Sequence, residues 1–181
     1  MCVDGFANHV AAAAWGVPVG PNCEFFGRVS FERRMGSTIR IGRACTFRSG
    51  KDSNRIGINR PCMISTLTVH ARIIIGDRVA MSGTVIGAAE SITIGDDVLC
   101  GANVTITDTD WHGLPADRRL LPGRSASVVI GNNVWLGLNV IVLKGVTIGS
   151  NTVVGAGSLV SKSLPENVVA GGIPAKPIKR L

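Results

Sequence analysis

The stretch that decides the fold is IGNNVWLGLNVIVLKGVTIGSNTVVGAGSLV, residues 130–160. An aliphatic residue returns at every sixth position, and glycine follows four of these six residues. The aliphatic positions are Ile130, Leu136, Val142, Ile148, Val154 and Val160. A period of six matches neither the 3.6 residues of a helical turn nor the two-residue alternation of a strand. It is typical of a chain that coils through short strands with a corner after each, so the repeat predicts a parallel β-helix.

The same spacing extends towards the N-terminus with less regularity. We expect the coil to begin near Val29 and to continue in turns of eighteen residues, three hexads each. The aliphatic residues that mark those turns are Ile56, Ile75, Ile94 and Ile130. The first two steps of that series are nineteen residues long, so each is expected to carry one extra residue at a corner. The chain is thereby divided into a non-repeating N-terminal cap, residues 1–28, and a coil domain, residues 29–181, that ends in an extended tail.

The cap is expected to contain a short helix over the alanine-rich run His9–Trp15, ended by Gly16 and Pro18. Terminal units of a coil need a covering element because their inner face has no further turn to pack on. We therefore expect this helix to cover the open end of the coil, with help from the phenylalanines at 25, 26 and 31.

The six-residue register fails once in this interpretation, after Ile106, and resumes by Ile130. Residues 107–127 read TDTDWHGLPADRRLLPGRSAS, a polar stretch that contains proline and glycine and has no period. We interpret it as one loop ejected from a corner of the coil. Long loops in compact domains are usually functional, so this loop is where we expect the chemistry.

The composition supports one domain with a large apolar core. Of the 181 residues, 45% are hydrophobic and 17% are charged, which argues against disorder. The formal net charge is +7, from 19 Lys and Arg against 12 Asp and Glu, and this suits an anionic ligand such as a nucleotide phosphate or an acidic polysaccharide. The basic residues are scattered and no aromatic stacking platform accompanies them, so nucleic acid is not an expected partner.

The cysteines and the N-terminal sequence bear on the compartment. The five cysteines are odd in number and include no CxxC pair, so neither a disulfide framework nor a zinc knuckle is expected. Cys62 and Cys100 fall on inward positions, where cysteine acts as a small apolar residue. The sequence shows no basic-then-apolar leader and no apolar run of about 18 residues. We therefore expect a cytoplasmic protein without membrane insertion.

Three further motifs carry a resemblance to a known family. They are TDTDWH at 107–112, IGNNVWLG at 130–137 and GVTIGSNTVVGAGSLVSKSLPENVVAGGIPAKPIK at 145–179. Together with the repeat and the ejected loop, they resemble the hexapeptide-repeat acyltransferases, in particular the galactoside, maltose and nodulation-factor sugar O-acetyltransferases and the bacterial polysaccharide O-acetyltransferases. The resemblance covers about residues 39–181. It implies a left-handed parallel β-helix of the all-β class, a homotrimer, and acetyl-CoA bound between neighbouring subunits.

His112, in the ejected loop, is the candidate catalytic residue. O-acetylation requires a base that removes a proton from a sugar hydroxyl while the oxygen attacks the thioester. Imidazole, with an unperturbed pKa of about 6.5, suits that task near neutral pH. The resemblance places the catalytic histidine of the family at this position. The alternative is an exposed loop histidine without a role.

Four residues are candidates for binding the acceptor. Asp108 and Asp110 flank the histidine and have three open interpretations: they orient the imidazole, bind acceptor hydroxyls, or make the turn hydrogen bonds common for aspartate. Trp111 either forms an apolar wall for a sugar ring or anchors the loop. Galactoside-type enzymes place an asparagine near the acceptor where this chain has Ala80, so we assign that contact to Ser82 and do not extend galactoside specificity to this protein.

The resemblance also implies a set of cofactor contacts. Backbone groups of Gly137, Leu138 and Ala156 are expected to meet the pantetheine arm of acetyl-CoA, since small residues allow close approach. Trp135 is expected to flank the arm. The lysines expected near the adenosine and phosphates are Lys162, Lys176 and Lys179.

The sequence therefore predicts an acetyl-CoA-dependent O-acetyltransferase that acts on a sugar or polysaccharide. One alternative keeps the fold and changes the acceptor to the amine of an amino sugar, and another is a non-catalytic trimeric scaffold. A γ-type carbonic anhydrase shares the coil but needs three histidines around zinc. The spacing of the three histidines here does not give that arrangement, so no metal is expected.

Overall fold

The computed structural model describes residues 4–181, so Cys2 and the first residues of the predicted cap, 1–3, lie outside the described residues. One α-helix, two single-turn 3₁₀ helices and nineteen short strands make up the regular structure of the described part. The helices are α1 (Gly5–Ala14) and the 3₁₀ turns Lys51–Ser53 and Ala116–Arg118. The strands are β1 (Glu24–Phe26), β2 (Ser30–Glu32), β3 (Thr38–Ile41), β4 (Thr46–Arg48), β5 (Met63–Thr66), β6 (Arg72–Ile75), β7 (Ala80–Ser82), β8 (Val85–Ala88), β9 (Ser91–Ile94), β10 (Leu99–Ala102), β11 (Thr105–Thr107), β12 (Val128–Ile130), β13 (Trp135–Leu136), β14 (Ile141–Val142), β15 (Thr147–Ile148), β16 (Val153–Val154), β17 (Leu159–Val160), β18 (Val168–Gly172) and β19 (Ala175–Arg180).

Successive strands visit three sheets in rotation, so the chain winds into a coil with three flat faces. The first face contains β3, β6, β9, β12 and β15. The second face contains β1, β4, β7, β10, β13, β16, β18 and β19, and the third contains β2, β5, β8, β11, β14 and β17. The paired strands of successive turns are parallel, whereas β18 and β19 form an antiparallel hairpin. The predicted left-handed parallel β-helix is confirmed.

The core consists of columns of inward aliphatic side chains that stack from turn to turn. On the first face, Ile75 pairs with Ile94, Ile94 with Ile130, and Ile130 with Ile148. All four isoleucines are buried, as are the other aliphatic residues of the repeat at 136, 142, 154 and 160. The predicted inward positions of Cys62 and Cys100 are also buried, and the four cysteines of the described residues are free thiols.

The corners between the first and second faces explain the sequence of the repeat. Asn133, Asn151 and Asn167 occupy equivalent corners and have φ angles of 55°, 59° and 58°. A positive φ of this size is the left-handed region, which asparagine tolerates better than most residues. Asn133 and Asn151 also donate side-chain hydrogen bonds to the next asparagine in the column, at 3.1 and 2.9 Å. These corners therefore favour asparagine for both its backbone and its side chain.

Parallel pairing begins earlier than the predicted boundary at residue 28. Val19 bridges Ile41, and β1 pairs with β4, so the first turn of the coil lies within the predicted cap. The predicted helix is present as α1, and its Asn8 is fully buried, where its side-chain oxygen accepts a hydrogen bond from the Val29 amide. The division into residues 1–28 and 29–181 stays a prediction as a domain boundary, while the coil itself starts before it.

The assignment of Ile56 to an inward position was wrong. Ile41, and not Ile56, precedes Ile75 in the column of the first face, and the Ile56 side chain is 64% exposed. The reason is a second excursion, residues 49–62, that leaves the coil between β4 and β5 and that the sequence interpretation did not separate from the repeat. Ile56 lies in that excursion, so the nineteen-residue step from it to Ile75 does not correspond to a turn.

The second face contains a β-bulge and ends in a hairpin. The pairing of β10 with β7 shifts register between Cys100 and Ala102, which makes a β-bulge at Gly101. Bulges occur preferentially beside functional sites because they redirect the strand locally. At the C-terminal end, the predicted extended tail folds back as the hairpin of β18 and β19, in which β18 continues the second face beyond β16.

We expect Ile94→Ala to lower the free energy of unfolding by about 2–5 kcal/mol, because it removes a buried side chain from the middle of a packed column. Ile178→Ala, at an isoleucine of β19 that is 69% exposed, is the matched control and is expected to cost less than about 1 kcal/mol. Urea unfolding at one fixed protein concentration measures both. Equal losses in the two variants would contradict the assignment of the core.

Candidate active site

His112 lies in the ejected loop, which leaves the coil at the corner between the third and first faces, after β11. The neck of the loop is closed by an antiparallel bridge between Thr109 and Ser125. The Asp110 amide donates to the Arg124 carbonyl at 3.0 Å, and the Ala126 amide donates to the Asp108 carbonyl at 2.8 Å. The loop is therefore tied to itself on both sides of the histidine.

The His112 imidazole is oriented by a backbone carbonyl. Its Nδ1 lies 2.9 Å from the carbonyl oxygen of Arg119, in the same loop. A carbonyl oxygen only accepts hydrogen bonds, so this contact requires the proton on Nδ1. The Nε2 atom of the neutral ring then has its lone pair free to accept a proton. The ring is thus held in the tautomer that a general base needs.

Asp108 does not orient the imidazole. Its side chain is fully buried, and its two oxygens accept hydrogen bonds from the amides of Ala89 and Glu90 at 2.7 and 2.8 Å. Burial raises the pKa of the Asp108 carboxyl above its ordinary value, and the amide hydrogen bonds act in the opposite direction. Because both oxygens accept these hydrogen bonds, Asp108 fixes the start of the loop to the corner between β8 and β9. It leaves no free oxygen for a sugar hydroxyl.

Asp110 is held by a cation from the next turn of the coil. Its Oδ1 forms an ion pair with the Lys144 ammonium, and its Oδ2 is buried without a hydrogen-bond partner. The Asp110 carbonyl accepts a hydrogen bond from the His112 amide at 2.7 Å. Asp110 therefore positions the histidine through the backbone, and its side chain does not orient the ring.

Trp111 anchors the loop to the third face and still offers a ring face to solvent. Its Nε1 donates to the Thr107 hydroxyl at 3.1 Å, and its φ of 65° turns the side chain back over β8. At Gly87 a Cβ atom would lie 2.9 Å from the indole ring, so glycine permits this close approach. Because the side chain is 49% exposed, both interpretations made from the sequence, anchor and sugar wall, are compatible with its position.

Trp111 and His112 together line a cavity of about 510 Å³ at this corner. The lining includes Thr68 and Thr109, whose hydroxyls donate to the carbonyl oxygens of Ala89 and Arg124, and Arg34 from the corner between β2 and β3. Arg34 was not selected from the sequence, because only the winding of the coil brings residue 34 beside residue 112. We refer to this space as the histidine cavity.

Ser82 is not part of the histidine cavity. It lies at the end of β7, near the corner between the second and third faces, where its hydroxyl accepts a hydrogen bond from the Asn54 side chain at 3.0 Å. Ser82 is buried, with 7% of its surface exposed. Within one chain, the structure therefore does not bring the predicted Ser82 contact together with His112.

Four of the predicted cofactor contacts meet at one place. A second cavity of about 450 Å³ opens on the second face and its corner with the third face, and we call it the glycine cavity. Its lining includes Trp135, Gly137, Leu138 and Ala156. At Gly137 a Cβ atom would lie 2.7 Å from the Ala156 amide nitrogen, so the turns stack too closely there for a side chain. Glycine at 137 is thus required by the fold and also leaves the cavity floor open.

The glycine cavity also contains residues that the sequence interpretation did not select. They are Ile56, Gly101, Ala102, Val153, Val154 and Gly155. Gly101 is the bulge residue of β10, and Ile56 reaches the cavity from the second excursion. Neither position follows from the six-residue register, because each is an interruption of that register.

The three predicted lysines are exposed and lie in two different places. Lys176 and Lys179 are on β19, where they pair with Gly171 and Val169 of β18, so they extend the second face beyond the glycine cavity. Lys162 lies after β17, at the corner between the third and first faces. The structure of one chain therefore places two of the lysines on the second face, two strands beyond β16 at the edge of the glycine cavity, and the third at a different corner.

The histidine cavity and the glycine cavity share no lining residue and lie at different corners of the coil. Among residues 4–181, no group of three or more His, Cys, Asp or Glu is placed to hold a metal ion. His9 lies in α1, His70 lies between β5 and β6, and His112 lies in the loop. Across the same residues, the structure has no helix with the length and apolar character needed to span a membrane.

Residues 127–162 match the family model of the bacterial transferase hexapeptide, six repeats. A galactoside O-acetyltransferase of Escherichia coli (strain K12) is 46% identical over 94 residues, which are 50% of this chain and 45% of that protein. A putative lipopolysaccharide biosynthesis O-acetyl transferase of the same strain is 48% identical over 107 residues, 52% of this chain and 53% of that protein. The chain thus spans about half the length of the curated relatives it matches.

Among solved structures, the chain is similar to a galactoside acetyltransferase in complex with coenzyme A. The match covers 95% of this chain and 68% of that chain, with a TM-score of 0.60 and 28% sequence identity.

We expect Lys144→Ala to lower kcat by about 10- to 100-fold, because it removes the cation that holds Asp110 and with it the backbone next to His112. The affinity for acetyl-CoA is expected to stay within about twofold, since Lys144 does not line the glycine cavity. Steady-state kinetics and calorimetric titration measure the two quantities. Lys51→Ala, at an exposed lysine that lines neither cavity, is the comparison for a general loss of charge. An unchanged kcat in Lys144→Ala would contradict the positioning role.

Proposed function

From the confirmed resemblance to the hexapeptide-repeat acyltransferases, we propose that this protein transfers an acetyl group from acetyl-CoA to a hydroxyl of a sugar or polysaccharide. The observation that carries the proposal is the His112 imidazole, whose Nδ1 donates to a carbonyl and whose Nε2 is thereby free to act as a base beside the histidine cavity. The acetyltransferase names of the relatives support the same reaction.

The reaction is proposed to proceed by direct attack in a ternary complex. Nε2 of His112 takes the proton of the acceptor hydroxyl as its oxygen forms a bond to the thioester carbonyl carbon. Negative charge develops on the carbonyl oxygen, where backbone amides at the groove stabilise it. Collapse of this intermediate breaks the carbon–sulfur bond, and the imidazolium returns its proton to the departing thiolate. The products are the acetylated acceptor and free CoA, and the histidine is restored.

The glycine cavity is proposed to hold the pantetheine arm of acetyl-CoA. Its lining includes the backbone of Gly137, the small side chain of Ala156 and the Leu138 residue, and Trp135 stands at its side with 53% of its surface exposed. Lys176 and Lys179 on the adjoining β19 supply cations for the phosphates. The similar structure that contains coenzyme A supports a cofactor of this class.

A complete site is proposed to form between subunits of a homotrimer. Within one chain, the base and the cofactor groove lie at different corners, and their cavities share no residue. A cyclic arrangement of identical chains brings one corner of each subunit against a different corner of its neighbour. His112 of one subunit then faces the glycine cavity of the next, and Ser82 and Lys162 become candidates for contacts across the same interface. The cytoplasmic location expected from the sequence stays a prediction.

His112→Ala is expected to lower kcat by at least about 1,000-fold while acetyl-CoA binds with unchanged affinity, because the base is removed and the groove is not. Release of CoA thiol, measured with a panel of sugars, polysaccharide fragments and amino sugars, gives the rate. Turnover retained by His112→Ala would contradict the mechanism. Acetylation of an amino-sugar amine in preference to hydroxyl acceptors would favour the N-acyltransferase.

Ala156→Leu is expected to weaken acetyl-CoA binding by about 10-fold or more, because the larger side chain fills space that the arm requires. Ala13→Leu, at an exposed alanine of α1, is the control for adding the same side chain elsewhere. Calorimetric titration with acetyl-CoA measures both. If the folded Ala156→Leu protein binds acetyl-CoA with unchanged affinity, the pantetheine arm does not lie in the glycine cavity. Absence of acetyl-CoA binding by the unaltered protein would favour the scaffold alternative.

A further inference from the structure

The second excursion, residues 49–62, is a built element of the structure. The Asn54 side chain donates to the Ser82 hydroxyl at 3.0 Å, and the Asn59 amide donates to the Asn103 side chain at 3.0 Å. The Arg60 guanidinium donates to the carbonyl oxygens of Gly83, Asn103 and Val104 and to the Thr105 hydroxyl at 2.7–3.2 Å. These bonds reach two successive turns of the coil, so the excursion is fixed along the corner between the second and third faces.

This fixed element presents an isoleucine to the glycine cavity. Ile58 of the excursion is buried to 7% exposure, whereas Ile56 is 64% exposed and lines the cavity with Gly101 and Ala102. The backbone around Ile56 is held by its own turn, in which the Ile56 amide donates to the Asn54 side chain at 3.1 Å. Ile56 is therefore a large apolar side chain held over a part of the cavity whose other residues are small.

The glycine cavity has chemically different ends. The β19 lysines lie beyond one end, and Ile56 with the β10 bulge forms the other. Four strand spacings separate β10 from β19, which is about 19 Å at about 4.8 Å per spacing. An extended pantetheine arm with its phosphates covers a distance of this order. A CoA thioester with its phosphates at the lysines therefore directs its acyl group towards Ile56.

Resting on the proposed function, we infer that Ile56 forms the end wall of the acyl site and restricts the donor to short acyl groups. Small residues at 101 and 102 leave room for an acetyl group, while the isoleucine occupies the space that the third and fourth carbons of a longer chain require. The inference names a selectivity residue that belongs to neither the base nor the groove floor. It also gives a role to an excursion that the coil itself does not need.

Ile56→Ala is expected to raise the ratio of kcat/KM for butyryl-CoA to that for acetyl-CoA by about 10-fold or more, since each methylene admitted to an apolar pocket contributes a factor of this size. Ile56→Trp is expected to lower acetyl-CoA affinity by filling the same space. Ile141→Ala, at an isoleucine of β14 that is 41% exposed and does not line the cavity, is the matched control and is expected to leave the ratio unchanged.

Transfer and binding are measured separately, because they test different claims. Calorimetric titration with acetyl-, propionyl- and butyryl-CoA is expected to show the same change of preference in Ile56→Ala, whether or not a suitable acceptor has been found. A folded Ile56→Ala protein that keeps the unaltered preference in both measurements overturns the inference, as does an unaltered protein that accepts butyryl-CoA as well as acetyl-CoA. If no acceptor is acetylated but the protein still binds acetyl-CoA in preference to butyryl-CoA, the result contradicts the proposed transfer reaction and leaves the role of Ile56 supported.

Discussion

The structure depends on the in-register stacking of identical positions in successive turns. Each inward isoleucine of the first face lies against the isoleucine of the next turn, and the backbone amides between them are paired. Burying these columns removes apolar surface from water, and parallel pairing satisfies the backbone that is buried with them. A residue added to a strand would turn every later side chain to the wrong side, so added sequence is accommodated only as a bulge or as an excursion at a corner.

This constraint determines where function can be located on the coil. The two long excursions leave at different corners, residues 49–62 between the second and third faces and residues 107–127 between the third and first. One carries Ile56 to the glycine cavity, and the other carries His112. The regular turns supply the floor of the groove, since close stacking at Gly101 and Gly137 leaves no room for a side chain. A single chain therefore keeps the proposed base and the proposed cofactor groove apart, which is the reason for proposing that neighbouring copies complete the site.

The sequence predicted the features that follow from the repeat. The coil, its inward columns and the ejected loop depend on six-residue spacing, whereas Trp135, Gly137, Leu138 and Ala156 were selected from the family resemblance. The sequence interpretation failed at Ile56, which fits the aliphatic series but is exposed. The pattern cannot show which aliphatic residue faces inward when a corner of the coil is extended by an excursion. The contributions of Arg34 and of the Arg119 carbonyl to the histidine cavity could not be predicted from the sequence, since a contact across turns or to a backbone atom leaves no sequence pattern. The two aspartates beside His112 were recognised, but only the structure shows that Ala89, Glu90 and Lys144 already occupy them.

The most direct test of the divided site is a mixing experiment between two inactive variants. His112→Ala lacks the base, and Ala156→Leu has an obstructed groove, so neither alone is expected to be active. Co-expression with two different affinity tags yields mixed oligomers that can be isolated. If each site combines His112 of one subunit with the groove of its neighbour, the isolated mixed trimers are expected to regain about a third of the unaltered activity, because one of the three interfaces in every mixed trimer joins the two intact halves. Mixed trimers that stay inactive would show that both halves of the site belong to the same chain, and would contradict the division proposed for this protein.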